Sequence, residues 1–232
     1  MRALLFTLIL AVAVGYSTAQ TKSVSISDFS ELTISGPFRT TLVKSDKCKL
    51  EINYNELDEE DVIVNSRGGE LLVKVKQGLF DFDRYNDRGR NRKYATVTIY
   101  YTSLKSIEAK QGASLRASET IVAERMELKS SMGSEVKLDL KVQDLSLDSS
   151  MGSDVDLSGT ASSFELTAKM GSDVDAYLLK CQDVTVTASM GADVKVFAER
   201  ELDASANFGA SVSCKGNPAR KKTSGTFGSD FH

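Results

Sequence analysis

Tryptophan is absent from the 232-residue chain, and its single histidine is the final residue, His232. These gaps count against the many enzyme classes that rely on an imidazole acid–base group, and against indole platforms for sugars. Cysteine is scarce and odd in number: Cys48, Cys181 and Cys214. A disulfide framework therefore does not organise the fold, and at least one thiol is free or pairs with another chain. Basic charge is not in excess, with 29 Lys and Arg against 32 Asp and Glu. That balance lacks the concentrated basic face that nucleic-acid phosphates require, so no nucleic acid is expected as partner. Beyond the first residues no apolar run approaches the roughly 20 positions of a membrane helix.

The amino terminus reads as a leader. Arg2 supplies a positive start, Ala3 to Val14 are apolar apart from Thr7, and Ser17-Thr18-Ala19 offers a small-residue cleavage site. The expectation is an exported protein with a signal peptide over 1–19 and a mature chain from Gln20 to His232. No cysteine adjoins the cleavage site, so a lipid anchor is not expected.

What the chain has in quantity is a repeat. It reads MGSEV from Met132, MGSDV from Met151, MGSDV from Met170 and MGADV from Met190, with looser copies at Gln111, Phe208 and Phe227. The glycines, Gly112, Gly133, Gly152, Gly171, Gly191, Gly209 and Gly228, are spaced 21, 19, 19, 20, 18 and 19 residues apart. A period near 20 marks a solenoid. Within one unit, Phe164, Leu166, Ala168, Met170, Ser172, Val174 and Ala176 alternate with polar residues. Period two means strand with one buried face, so the expected fold is all-β, a parallel β-helix or β-solenoid with coils of about 19–20 residues. The repeats occupy 102–232, preceded by a less regular β region over 20–101. The glycine is the expected bend, flanked inside by small residues such as Ser149 and Ser153. Each coil is expected to pair with the one before it.

This reading places Met132, Met151, Met170, Met190, Phe208 and Phe227 in one inward column, where thioethers fill core gaps; soft-metal binding is the sharper alternative. Cys214 takes a core position equivalent to Leu157 and Val196, whereas Cys181 begins a turn. Outward, Glu135, Asp154, Asp173 and Asp193 form a line of like charges, beside a second line of Lys137, Asp156, Asp175 and Lys195. Adjacent carboxylates about 4.8 Å apart repel by roughly 1 kcal/mol in water. The line reads either as a solvated face that discourages sheet stacking or as a strip for a basic partner or a cation, calcium being the cofactor that suits oxygen ligands.

The first half carries further strands around Leu32, Leu50, Val62 and Leu71, with Arg67-Gly68-Gly69-Glu70 as a hairpin turn. A charged loop over 78–93 holds Phe80, Phe82, Arg84 and Tyr85, a combination suited to a polysaccharide or peptide partner. At the other end, Lys221, Thr223 and Gly225 replace apolar residues, as a capping coil would.

Ile34-Ser35-Gly36-Pro37-Phe38, then Gln111-Gly112-Ala113-Ser114 and its copies, resembles the head GIN domain family of autotransporter adhesins, from about Ser25 to Phe231. The resemblance implies an exported β-helical protein in the periplasm or on the exterior of a Gram-negative bacterium, and brings no site residues with it. Unlike an autotransporter, the sequence shows nothing that would anchor or translocate a passenger. The functional expectation is a non-catalytic binding or adhesion module for an extracellular glycan or protein, with self-association of its exposed faces a further option. The competing expectations are a polysaccharide-active enzyme, for which Asp154 and Asp173 would be the paired carboxylates, and a structural envelope protein.

Overall fold

Long runs of alternating apolar and polar residues bury one face of each strand, and the chain answers by coiling around that face. The computed structural model describes residues 21–55, 57–76 and 94–232. The leader and the segment with Phe80, Phe82, Arg84 and Tyr85 lie outside the described residues. The first strands are β1 (Thr21–Val24), β2 (Glu31–Ser35), β3 (Phe38–Lys44), β4 (Lys49–Asn53), β5 (Val62–Arg67) and β6 (Glu70–Val75). Next come β7 (Ala95–Tyr101), β8 (Ser106–Lys110), β9 (Ser114–Ala117) and β10 (Ile121–Ser131). The long strands β11 (Glu135–Ser150), β12 (Asp154–Lys169), β13 (Asp173–Ser189) and β14 (Asp193–Asn207) follow, then β15 (Ser211–Lys215), β16 (Arg220–Thr226) and β17 (Asp230–Phe231). From β8 onward every pairing is parallel, which makes the molecule a β-solenoid as the repeat predicts.

Stacking turns each alternating position into a column. Val136, Val155, Val174, Val194 and Val212 align in register and are buried; so do Leu147, Leu166, Val186 and Ala204. Each fully buried Val or Leu contributes about 1.5–3 kcal/mol relative to an exposed one. Gly159 shows how closely the coils approach, since a Cβ there would sit 2.0 Å from the Leu140 carbonyl oxygen.

The first coils do not stack in chain order. The coil β2–β3 is sandwiched, with β6–β7 on one side and β8–β9 on the other: Leu32 aligns with both Leu71 and Ile107. The expectation that each coil pairs with its predecessor fails here. The physical gain is a closed end, because β4 lies antiparallel on β7, β1 on β4, and β5 on β6 through the Gly68-Gly69 hairpin. Those antiparallel strands cover edges that would otherwise offer unpaired backbone groups. At the opposite end β16 is exposed at every residue and sets Lys221, Thr223 and Gly225 over Leu202, Ala204 and Ala206. Its Lys222 pairs with Asp203 at 2.9 Å and its Arg220 with Glu201.

The corner of each coil overturns the inward methionine column. At Ser150-Met151-Gly152-Ser153 the Met and Gly both have positive φ, 54° and 68°, and the Ser153 N–H donates to the Ser150 carbonyl. Two successive positive φ values closed by that bond form a type I′ turn. The turn throws both central side chains outward and returns the chain to the core at Ser153. Ser149 and Ser153 do face inward, their hydroxyls 2.9 Å apart, and Ser153 Oγ donates to the Ser130 carbonyl of the preceding coil at 3.0 Å.

The cysteines also shift. Cys181 is buried within β13, between Ala161 and Ala198, and does not begin a turn. Its coil is longer than its neighbours, and the excess bulges out beside exposed Leu178 instead of ending the strand. Burial pushes the Cys181 thiol up to about 12. Cys214 does align with Val196, but it is only half-buried.

Candidate functional site

The corners stack into a ridge along one edge of the solenoid. Gln111, Met132, Met151, Met170, Met190, Phe208 and Phe227 all sit at φ between 53° and 59°, each followed by the turn glycine. The corners are tied to one another: the Gly133 N–H donates to the Met151 carbonyl, Gly152 to Met170, Gly171 to Met190, Gly191 to Phe208 and Gly209 to Phe227. The ridge is therefore a fixed ladder and not a fringe of loops. Its side chains lie in solvent, the four methionines 45–54% exposed, Phe208 60% and Phe227 77%. The two rings stack with centroids 5.3 Å apart and planes 2° from parallel.

This is the feature that sequence reasoning missed. The signal was present: inward Ser149 and Ser153 stand four residues apart, and a tight two-residue turn fits between them. Methionine use points the same way, since four of the six methionines stand at corners.

Three residues beyond each corner residue runs the acidic line. Glu135, Asp154, Asp173 and Asp193 are consecutive register partners, so the structure brings the expected column together. Among the described residues none of these four forms an ion pair. Asp154 has its pKa raised by burial, then by the neighbouring charges of Asp156, Asp173 and Glu135. The second line is different: Lys137 reaches Asp156 at 3.3 Å, and Lys195 approaches Asp175 at 4.0 Å.

Carboxylates strung about 4.8 Å apart on a flat sheet do not converge on one point. Calcium takes six to eight oxygens at about 2.3–2.6 Å, and among the described residues no group of three or more His, Cys, Asp or Glu is placed to hold a metal ion. Asp154 and Asp173 are likewise exposed neighbours on adjacent coils. An open groove of about 880 Å³ lies elsewhere, around Lys105, Glu124, Arg125 and Asp144. Arg125 and Asp144, both on its lining, pair at 3.3 Å.

Residues 28–218 match the family described as "putative auto-transporter adhesin, head GIN domain". The chain belongs to that family. Solved structures share the fold. A putative adhesin from Bacteroides fragilis superposes with TM-score 0.81 at 19% identity, over 93% of this chain and 97% of that one. A putative lipid binding protein from Parabacteroides distasonis gives 0.66 at 19%, over 92% and 96%. A putative adhesin from Parabacteroides merdae gives 0.63 at 16%, over 94% and 98%. At these identities the likeness is one of fold. No curated protein matches the chain.

Proposed function

We propose that this head GIN domain protein is an exported, non-catalytic binding or adhesion module, acting in the periplasm or on the exterior of a Gram-negative bacterium. Its partner is an extracytoplasmic glycan or protein, and the partner is engaged along the corner ridge. One observation carries this reading: a fixed row of methionine and phenylalanine side chains stands 45–77% exposed to water, and a contiguous apolar row on a surface marks an interaction site. The turn itself would favour another residue. Type I′ turns prefer Asn-Gly, because asparagine tolerates positive φ, yet five successive corners before the last carry methionine or phenylalanine.

The leader-like start at Arg2 to Ala19 and the adhesin description of the family support export. Among the described residues no helix is long and apolar enough to cross a membrane. Phe80, Phe82, Arg84 and Tyr85 are a second candidate contact. The test is a labelled chain on an array of glycans and matrix proteins, run beside a Met151→Asn, Met170→Asn variant. A saturable signal that the variant loses is the expected result. A blank array, or a signal indifferent to the variant, removes the ridge as the binding surface.

A further inference from the structure

Resting on that binding-module reading, we infer that the ridge and the carboxylate line beside it dock a cationic amphipathic α-helix of a partner protein.

The apolar half of the match is the ridge. Methionine is unbranched, flexible and polarizable, so a row of four adapts to side chains of varied shape. The charged half is the line Glu135, Asp154, Asp173, Asp193, which follows each corner by three residues and therefore flanks the ridge along its length. Among the described residues these carboxylates form no ion pair, while the line one step further out is matched by Lys137 and Lys195. Negative charge is thus left unpaired at the ridge and neutralised away from it. A partner that brings lysine or arginine beside an apolar stripe completes both halves.

Pitch selects a helix over an extended segment. Coils repeat at about 4.8 Å, and a helix presents one apolar residue per turn at about 5.4 Å. The mismatch of about 0.6 Å per coil accumulates slowly enough for methionine side chains to absorb. An extended strand repeats on one face every ~6.8 Å and loses step at once. From Met132 to Phe227 the ridge spans roughly 24 Å, the length of a helix of about 16 residues.

Other occupants fit less well. A second copy would carry the same acidic line, and a ridge one residue wide falls short of the ~800 Å² per partner of a stable interface. A bilayer would hold that line against anionic headgroups.

The experiment titrates the purified chain with a labelled 18-residue Leu/Lys amphipathic peptide and with its Leu/Glu counterpart. The Leu/Lys peptide should bind saturably and at least about tenfold more tightly than the Leu/Glu peptide, with affinity falling as salt rises. Met151→Asn with Met170→Asn should weaken it by about tenfold. Asp154→Asn with Asp173→Asn should flatten the salt dependence. All four positions are exposed, so an unchanged circular dichroism spectrum shows that the fold persists. Equal binding of the two peptides, no binding, or binding indifferent to both variant pairs overturns the inference. So does a ridge-dependent dimer in sedimentation, or ridge-dependent flotation with anionic vesicles. A ridge-dependent signal on the array without peptide binding sinks the helix and leaves the binding module standing; loss of both signals sinks both.

Discussion

The first coils and the repeated coils solve the same stacking problem with different materials. Around β2–β3 the interior is large and close: Ile34, Phe38, Leu42, Leu50, Ile52 and Ile99 are buried, and the corner passes through Gly36-Pro37 with no exposed apolar side chain. In the repeated coils the interior shrinks to serine, alanine and valine near the corner, and the large unbranched residues stand outside. The early part concentrates apolar volume where it stabilises the fold. The later part spends some of it on a surface. The coil order differs as well: both neighbours of β2–β3 come later in the chain, whereas β12 and β13 each lie between their predecessor and their successor.

The largest expected effect is therefore at the early core. Phe38→Ala should destabilise the chain by about 3–5 kcal/mol, seen as a lower urea midpoint. Val212→Ala, at the far end of the valine column, should cost less and leave the early coils folded, since solenoid stability is summed between neighbours. Equal losses at the two sites would mean that the two regions unfold as one unit and that the contrast is one of composition only.

The middle effect is at the corners. Met151→Asn places a residue suited to positive φ in the type I′ turn, a relief of about 1 kcal/mol. It also removes contact between neighbouring half-exposed methionines, of similar size by area. The expected result is a midpoint unchanged or slightly raised, with binding weakened. A clear fall in stability would show that the ridge is a packing device after all.

Much of this is legible in the sequence, and the exceptions have physical reasons. Alternation identified the strands, the glycine period identified the coils, and Leu147, Val155 and their partners fell inward as expected. Met151 did not, because a two-residue turn inserts an even number of positions. The flanking Ser149 and Ser153 keep their inward parity, so the alternation reads as unbroken while its centre points out. The coil order was illegible for another reason. Nothing in Leu32 or Leu71 records which side of a coil its successor takes. Cys181 was misplaced because an extra residue near Tyr177 and Leu178 resets the register, which spacing alone does not locate. The acidic line was fully legible, since it needs only the period. Its lack of partners was not.

That missing partner gives the smallest and most specific prediction. Asp154 has a raised pKa through burial and neighbouring carboxylates, whereas Asp183 has a lowered one because Arg200 hydrogen-bonds to it. For a carboxyl whose folded pKa exceeds its unfolded value, the native state binds the extra proton in the window between them. Stability then falls as pH rises through that window, and the penalty stays present at neutral pH. For Asp183 the sign reverses: its contribution is present above the unfolded pKa and is lost as pH falls through the lowered one. Asp154→Asn should accordingly raise the melting temperature at pH 7 by about 1–2 °C, a gain that disappears below about pH 3, where the unfolded carboxyl is protonated as well. Asp183→Asn should lower it at pH 7 and converge on the parent in acid. Thermal melts of the two variants across pH 3 to 7 separate the faces. If Asp154→Asn destabilised the chain at neutral pH, the carboxylate would have a cationic partner within the protein, and the acidic line would no longer be open to one from outside.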